Sequence, residues 1–166
     1  MILVGLGSNL SHSTHGSSHQ VLEEALVALE SEGVQIIRCS RWHLSEPVPH
    51  SDQPWFVNGV VTLITDLLPD QLLQRLHYVE SCFGRVRNNQ GEARILDLDL
   101  LAYDDAISDD DTLLLPHPRL SERAFVLLPL REVAPNWRHP ISGFTVHELI
   151  SNLPSMQVAR PFLSFD

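Results

Sequence analysis

Ile95-Leu96-Asp97-Leu98-Asp99-Leu100-Leu101 is the stretch on which the architecture turns. Side chains alternate along a strand, so residues two apart share a face. Read as a strand over 94–103, the segment sends Leu96, Leu98 and Leu100 into a core and turns both carboxylates toward one cleft. Outward from it, residues 1–7 read as a strand, and 19–31 set Val21, Leu22, Ala25, Leu26 and Leu29 at helical spacing. Residues 33–44 look extended and run into turn chemistry around Pro47 and Pro49. Residues 55–66 are rich in β-branched and aromatic side chains. Residues 69–83 form an amphipathic helix opened by Pro69 and closed at Gly84. The order strand–helix–strand–strand–helix–strand is the ferredoxin-like βαββαβ pattern of an α+β protein. A hairpin around Ala106-Ile107-Ser108 and C-terminal helices over 121–133 and 144–152 extend it. We expect one domain over 1–166, and a fold of this kind leaves function open.

Composition narrows the classes. A chain of 166 residues suits one well-buried core, and 43% hydrophobic residues suffice to fill it. No apolar run approaches the ~20 residues of a membrane-spanning helix. The opening Met1-Ile2-Leu3-Val4-Gly5-Leu6 lacks a positive flank and a small-residue cleavage site, so it reads as a buried strand and not a targeting segment. Cys39 and Cys82 form no Cys-x-x-Cys pair, which predicts reduced, packed thiols and a cytoplasmic location. The net charge of −10 opposes general nucleic-acid binding. The chain has no lysine, and all 11 basic residues are arginine. That removes Schiff-base chemistry and lysine-dependent phosphate loops, while arginine still offers a bidentate fork for phosphate oxygens.

Two carboxylates about 7 Å apart repel by ~2 kcal/mol at an effective dielectric of about 20. A cation between Asp97 and Asp99 relieves that repulsion, and magnesium accepts carboxylates together with substrate phosphates. Arg85, Arg87, Arg94, Arg119 and Arg123 place five of the 11 basic residues around the pair. Spacing alone leaves a phosphate–metal site and a lattice of surface ion pairs both open. Gly5-Leu6-Gly7-Ser8-Asn9-Leu10 starts like a dinucleotide fingerprint but has Leu10 at the third glycine, so that reading fails. His12, His15 and His19 read as solvated loop histidines with no supporting carboxylate nearby. Asp104, Asp105, Asp109, Asp110 and Asp111 read as a solvated turn, since a calcium loop needs a closing glutamate. On pattern alone Phe56 and Phe125 are core residues.

Several motifs together resemble the 6-hydroxymethyl-7,8-dihydropterin pyrophosphokinase family. They are Leu6-Gly7-Ser8-Asn9-Leu10, Asp52-Gln53-Pro54-Trp55-Phe56-Val57-Asn58, Gly84-Arg85-Val86-Arg87, Arg94-Ile95-Leu96-Asp97-Leu98-Asp99, the run Pro116–Leu127 and the run Pro129–Pro135. The resemblance implies transfer of the terminal diphosphate of ATP to a pterin hydroxymethyl oxygen, with AMP released, in folate synthesis. It implies that Asp97 and Asp99 hold two magnesium ions and that Arg85 and Arg94 steady the phosphates. It puts Arg87, His117 and Arg123 along the ATP channel and Glu80 and Leu100 at the nucleotide. It makes Phe56 and Phe125 the rings around the pterin, Asn58 the amide at its edge, and Ser45 and Val48 the completion of that pocket.

The chain also departs from the family pattern. The lid segment reads Asn88-Asn89-Gln90-Gly91-Glu92-Ala93, without the usual aromatic and extra positive charge. Glu46, Pro49 and His50 replace a more usual Pro, Gly and Pro, and Pro118 stands where many relatives have tyrosine. The competing reading is a divergent pterin- or nucleotide-binding relative with weak catalysis. An RNA-binding module needs a basic sheet, and a kinase making ADP differs only in product. A monomer, with small-molecule partners, no nucleic acid, no membrane and no fused folate-pathway enzyme, is the remaining expectation.

Overall fold

The computed structural model describes residues 1–84 and 93–163. Strand β1 (Ile2–Ser8) runs through the middle of a sheet, buried along its whole length. Helix α1 (Ser18–Ser31) follows, its start closed by a reciprocal capping box between Ser17 and Gln20. Then come β2 (Gln35–Cys39), β3 (His43–Ser45), β4 (Phe56–Ile64) and α2 (Pro69–Cys82). The second half holds β5 (Asp97–Tyr103), the hairpin β6 (Ser108–Asp110) and β7 (Leu113–Leu115), α3 (Ala124–Val133), α4 (Val146–Ser151) and β8 (Ala159–Pro161). The main sheet is six-stranded in the order β5-β1-β4-β3-β8, with β2 also on β4, and every pairing in it is antiparallel. The protein is thus a mixed helix–sheet fold on an antiparallel sheet.

Each face of the sheet has its own apolar core. Ile2, Val4, Leu6, Val57, Val61, Leu63, Leu98 and Leu100 point to the side of α1 and α2, where Leu22, Leu29, Leu72 and Leu76 meet them. Leu3, Val60, Leu101 and Ala102 point the other way, against Leu127, Leu130, Val146 and Leu149 of α3 and α4. The second face is covered only at one end. At the other end its upward positions are Gly5 and Gly7 on β1, Asp97 and Asp99 on β5, and Phe56 and Asn58 on β4, and these are the positions that form a cleft.

Several local expectations need correction. The extended stretch 33–44 is two strands, because Ser40 interrupts the ladder. Its amide donates to the carbonyl of Val60 (3.0 Å), while its hydroxyl accepts the Val60 N–H (3.0 Å). The Trp42 ring then lies on Gly59, where a Cβ would come within 2.6 Å of it. The hairpin tip is at Asp111-Thr112, not at 106–108. Asp110 Oδ1 accepts from both the amide (2.8 Å) and the hydroxyl (2.7 Å) of Thr112 and so fixes the turn there. Asp104, at φ +48°, turns the chain out of β5 and pairs with the N-terminal ammonium. The helix expected over 121–133 is a 3₁₀ turn (Leu120–Glu122) followed by α3, with extended backbone at Arg123 between them. Strand β8 was not foreseen. Cys39 and Cys82 are free thiols but exposed, not packed. The three histidines are half-buried, His19 within α1, and two of them do have carboxylates: His15 pairs with Glu24, and His19 lies 3.4 Å from Glu23. Even so, no three His, Cys, Asp or Glu side chains among the described residues are grouped to hold a metal.

Candidate functional site

Register assembles the site. Asp97 on β5 lies opposite Gly7 on β1, Gly7 opposite Asn58 on β4, and Asn58 opposite His43 on β3. In the adjacent row on one side Asp99 lies opposite Gly5, against which Leu101 packs, and in the adjacent row on the other side Phe56 lies opposite Ser45. Gly7 sits between the Asp97 carboxylate on one side and the amide of Asn58 and ring of Phe56 on the other. A side chain at position 7 would fill that gap, since its Cβ would stand 3.2 Å from Asn58 Oδ1. The floor of the cleft is therefore backbone, and a flat or extended ligand can lie across it.

The acidic pair is held by cations from two directions. Arg94 Nη1 donates to Asp97 Oδ2 at 2.7 Å, and Arg123 Nη1 donates to Asp99 Oδ2 at 3.4 Å. His117 Nδ1 accepts the amide N–H of Arg119 (3.1 Å), which leaves Nε2 facing Asp99 Oδ2 at 3.9 Å. Desolvation, then repulsion from Asp97, pushes the Asp99 carboxyl above the usual carboxylate range, against the pull of His117, Arg123 and Arg94. Desolvation also lowers the pKa of His117 and of Arg123, each partly offset by Asp99. Arg119 is exposed nearby. Arg85, Arg87 and the lid positions 88–92 lie outside the described residues.

These donors suit a hard divalent cation. The pair offers carboxylate oxygens on one face of a strand, and its mutual repulsion is a standing demand for positive charge. Asp97 and Asp99 would hold such an ion, which would supply positive charge beside substrate phosphates, as magnesium does. A cavity of about 260 Å³ wraps the free edge of β5, between Leu73 and His77 of α2 and the β6–β7 hairpin, with Leu100, His117 and Pro118 in its wall.

The candidate residues fall into groups. Asp97, Asp99, Leu100, Arg94 and His117 line that cavity. Phe56 and Phe125 are half-buried, so the pattern reading of both as core is corrected: each ring keeps an open side, and Phe125 lies 5.5 Å from the Arg123 guanidinium. Asn58 is buried, and its Nδ2 donates to Ser45 Oγ (2.8 Å) and to the Phe56 carbonyl (3.4 Å). That commits both amide protons and turns Oδ1, an acceptor, toward the floor. Val48 stands exposed on the loop after β3. Glu80 is set apart: it is 1% exposed, and its carboxylate accepts the Leu98 N–H at 2.7 Å, so it supports β5 from within.

Asn9, just past the end of β1, links the two halves of the site. Its Oδ1 accepts the Arg94 N–H (2.7 Å), its Nδ2 donates to the Pro54 carbonyl (3.1 Å) and to Gln53 (3.3 Å), and its amide donates to the Arg94 carbonyl (3.0 Å). One buried side chain thus ties the arginine on Asp97 to the segment leading into Phe56. The available signal was an Asn just past a strand end, where such side chains bond local backbone.

Comparison with known proteins shows the family. A profile of the family described as 7,8-dihydro-6-hydroxymethylpterin-pyrophosphokinase (HPPK) matches residues 3–135. The 2-amino-4-hydroxy-6-hydroxymethyldihydropteridine pyrophosphokinase of Synechocystis sp. is 41% identical over 151 residues, 91% of this chain and 75% of that one. The protein of the same name from Methylorubrum extorquens is 37% identical over 158 residues, 95% and 96% of the two chains. The crystal structure of wild-type Plasmodium falciparum HPPK-DHPS superposes with a TM-score of 0.62 at 13% identity. It covers 90% of this chain, which spans 44% of that longer one, and at this identity the likeness speaks to the fold alone. With more than half its length matched by the profile and two bacterial relatives aligned along nearly all of it, the chain belongs to the 7,8-dihydro-6-hydroxymethylpterin-pyrophosphokinase family.

Proposed function

We propose that this protein transfers diphosphate from ATP to the hydroxymethyl group of 6-hydroxymethyl-7,8-dihydropterin, giving AMP and the pterin diphosphate for folate synthesis. The observation that carries this reading is the bare glycine floor. It joins an acidic pair flanked by arginine to an acceptor amide flanked by two half-open aromatic rings. The first half suits a metal-bound polyphosphate and the second a flat polar heterocycle.

Phe56 and Phe125 stack on the two faces of the pterin, a geometry that favours planar π-systems. Asn58 Oδ1, aimed by Ser45, accepts an N–H from its edge, and Val48 closes the outer side. Arg94 and Arg123 swing from the carboxylates to the phosphates as these arrive, with His117, Arg85 and Arg87 beside them. Alternate amides of an edge strand point away from its partner. That of Leu98 is taken by Glu80, and Leu100, in the wall of the cavity, borders the nucleotide base. Two magnesium ions held by Asp97 and Asp99 would supply charge neutralisation and alignment of the attacking and leaving oxygens. No side chain need act as general base, since positioning and electrostatics carry most of a phosphoryl transfer.

The sheet order reads as the split βαββαβ arrangement of ferredoxin-like proteins, in one domain that acts as a cytoplasmic monomer. No helix among the described residues is long and apolar enough to cross a membrane. The deciding experiment mixes the protein with magnesium-ATP and the pterin and follows nucleotide products. AMP formed in step with pterin diphosphate is expected. ADP would mean single-phosphate transfer, and pterin binding without AMP would favour the divergent, slow relative suggested by residues 88–93.

A further inference from the structure

We propose that residues 157–162, beyond the stretch matched by the family profile, form a strap that positions the pterin pocket, with Gln157 as its principal positioning residue. The inference rests on the functional reading above and assigns that pocket a further part.

The strap touches the three elements that carry the pocket. Arg123 sits at the N-cap of α3 but does not cap the helix with its own side chain, which is turned to Asp99. The missing acceptor comes from 33 residues away: Gln157 Oε1 accepts the Ala124 N–H at 2.8 Å. The same amide donates through Nε2 to the Glu122 carbonyl at 2.5 Å. One side chain therefore fixes the backbone on both sides of Arg123, immediately before Phe125. Two residues on, Ala159 pairs with Ser45 of β3, the residue that accepts from Asn58. The Arg160 guanidinium lies 5.2 Å from the ring of Trp55, the neighbour of Phe56. Phe162 anchors the end: its amide donates to the Trp42 carbonyl (2.7 Å), and its ring stacks on His19 at 5.3 Å.

Two rings hold a flat ligand only if their gap matches its thickness, with about 3.5 Å of contact distance on each side. Phe56 and Phe125 belong to different elements, β4 and α3, on the partly uncovered end of one face. Contacts from a third segment to the start of both elements set that gap. Nucleotide binding draws on the edge of β5 and on the hairpin, which the strap does not touch, and only through Arg123 on a residue within its reach.

The test uses Gln157→Ala and Gln157→Glu in the full chain, because the Glu variant keeps the Oε1 acceptor for Ala124. Titration with 6-hydroxymethyl-7,8-dihydropterin should show binding about fivefold weaker in Gln157→Ala, the size of a lost helix cap. Affinity for a non-hydrolysable magnesium-ATP analogue should fall less than that for the pterin, and Gln157→Glu, which turns a carboxylate oxygen on the Glu122 carbonyl, should recover only part of the loss. Unchanged pterin affinity in Gln157→Ala overturns the proposal. So does an equal loss of both ligands with a lowered Tm, which marks a merely structural residue. If the unsubstituted protein binds no pterin, the functional reading fails, and hydrogen exchange at the Ala124 amide then judges the strap. Faster exchange in Gln157→Ala upholds it, and unchanged exchange removes it.

Discussion

A methyl group at position 7 would stand 3.2 Å from Asn58 Oδ1 and 4.0 Å from the Phe56 ring. The first contact is tight enough that the amide must give way, and the Asn58 amide is already committed to Ser45 and Phe56. Gly7→Ala should therefore weaken pterin binding by roughly tenfold, a displaced hydrogen bond plus lost floor area, while Tm changes little. Equal pterin affinity in the variant and the parent, by fluorescence titration, would count against the glycine floor. Asp97 is the converse case, a residue whose value is its charge. Its side chain is about one-fifth exposed and holds Arg94, so Asp97→Ala removes an anion without opening the core. AMP release should fall at least about 1,000-fold, matching the several kcal/mol that metal-assisted charge stabilisation supplies. Turnover within tenfold of the parent would sink the metal assignment.

Between elements, the supports of the site are buried polar contacts. Glu80 of α2 holds the edge strand β5 by the Leu98 amide, between Asp97 and Asp99. Glu80→Ala leaves that amide buried without its acceptor, at a cost of about 1–3 kcal/mol. We expect a clear drop in Tm by calorimetry and faster amide exchange in β5, and an unchanged Tm would refute the support role. On the other side, Glu132 of α3 accepts from the amide and guanidinium of Arg41 and faces His43 at 3.4 Å. Burial raises its pKa, but the Arg41 hydrogen bonds and the charges of His43 and Arg41 outweigh that and hold it below the usual glutamate range. A lowered carboxylate stabilises the fold above its unfolded pKa, and the benefit is lost as pH falls through the folded value. Glu132→Gln should therefore flatten the acid limb of the stability curve below about pH 4.5. The same limb in both proteins would assign it elsewhere. None of these supports was legible in the sequence. The alternation around Asp97 and the capping and closing residues of α2 reveal strands and helices because those signals are local. The break at Ser40, the cap by Gln157 and the pairing of β8 with β3 depend on partners 20 to 118 positions away, which no local period encodes. Glu80, placed at the nucleotide by resemblance, turns inward because β5 needs an acceptor at its free edge. The partial burial of Phe56 runs against its apolar pattern for a similar reason: its neighbours across the sheet are Ser45 and Gly7, which leave one side of the ring open.

For the molecule as a whole, charge distribution sets the terms on which ligands bind. A net charge of −10 repels polyphosphate at long range, and Asp97 and Asp99 repel it at the cleft. Of the described arginines beside the pair, Arg94 and Arg123 are engaged with those same carboxylates until a cation replaces them, while Arg119 is exposed. ATP alone must therefore enter a cleft in which Arg94 and Arg123 are occupied, whereas ATP with magnesium brings the charge that frees them. A ligand that binds only the folded state at about 100 times its Kd stabilises by about 2.7 kcal/mol. For a chain of this size that corresponds to a Tm increase of roughly 5–10 °C. We expect that shift with magnesium and a non-hydrolysable ATP analogue, most of it lost on adding a chelator, and a further increase when the pterin is added. In Asp97→Ala the magnesium-dependent part should vanish, while the shift given by pterin alone should persist, since the rings and Asn58 stand on the other side of the glycine floor. An equal shift with and without magnesium would mean that the arginines receive the phosphates unaided, and the acidic pair would then need another explanation.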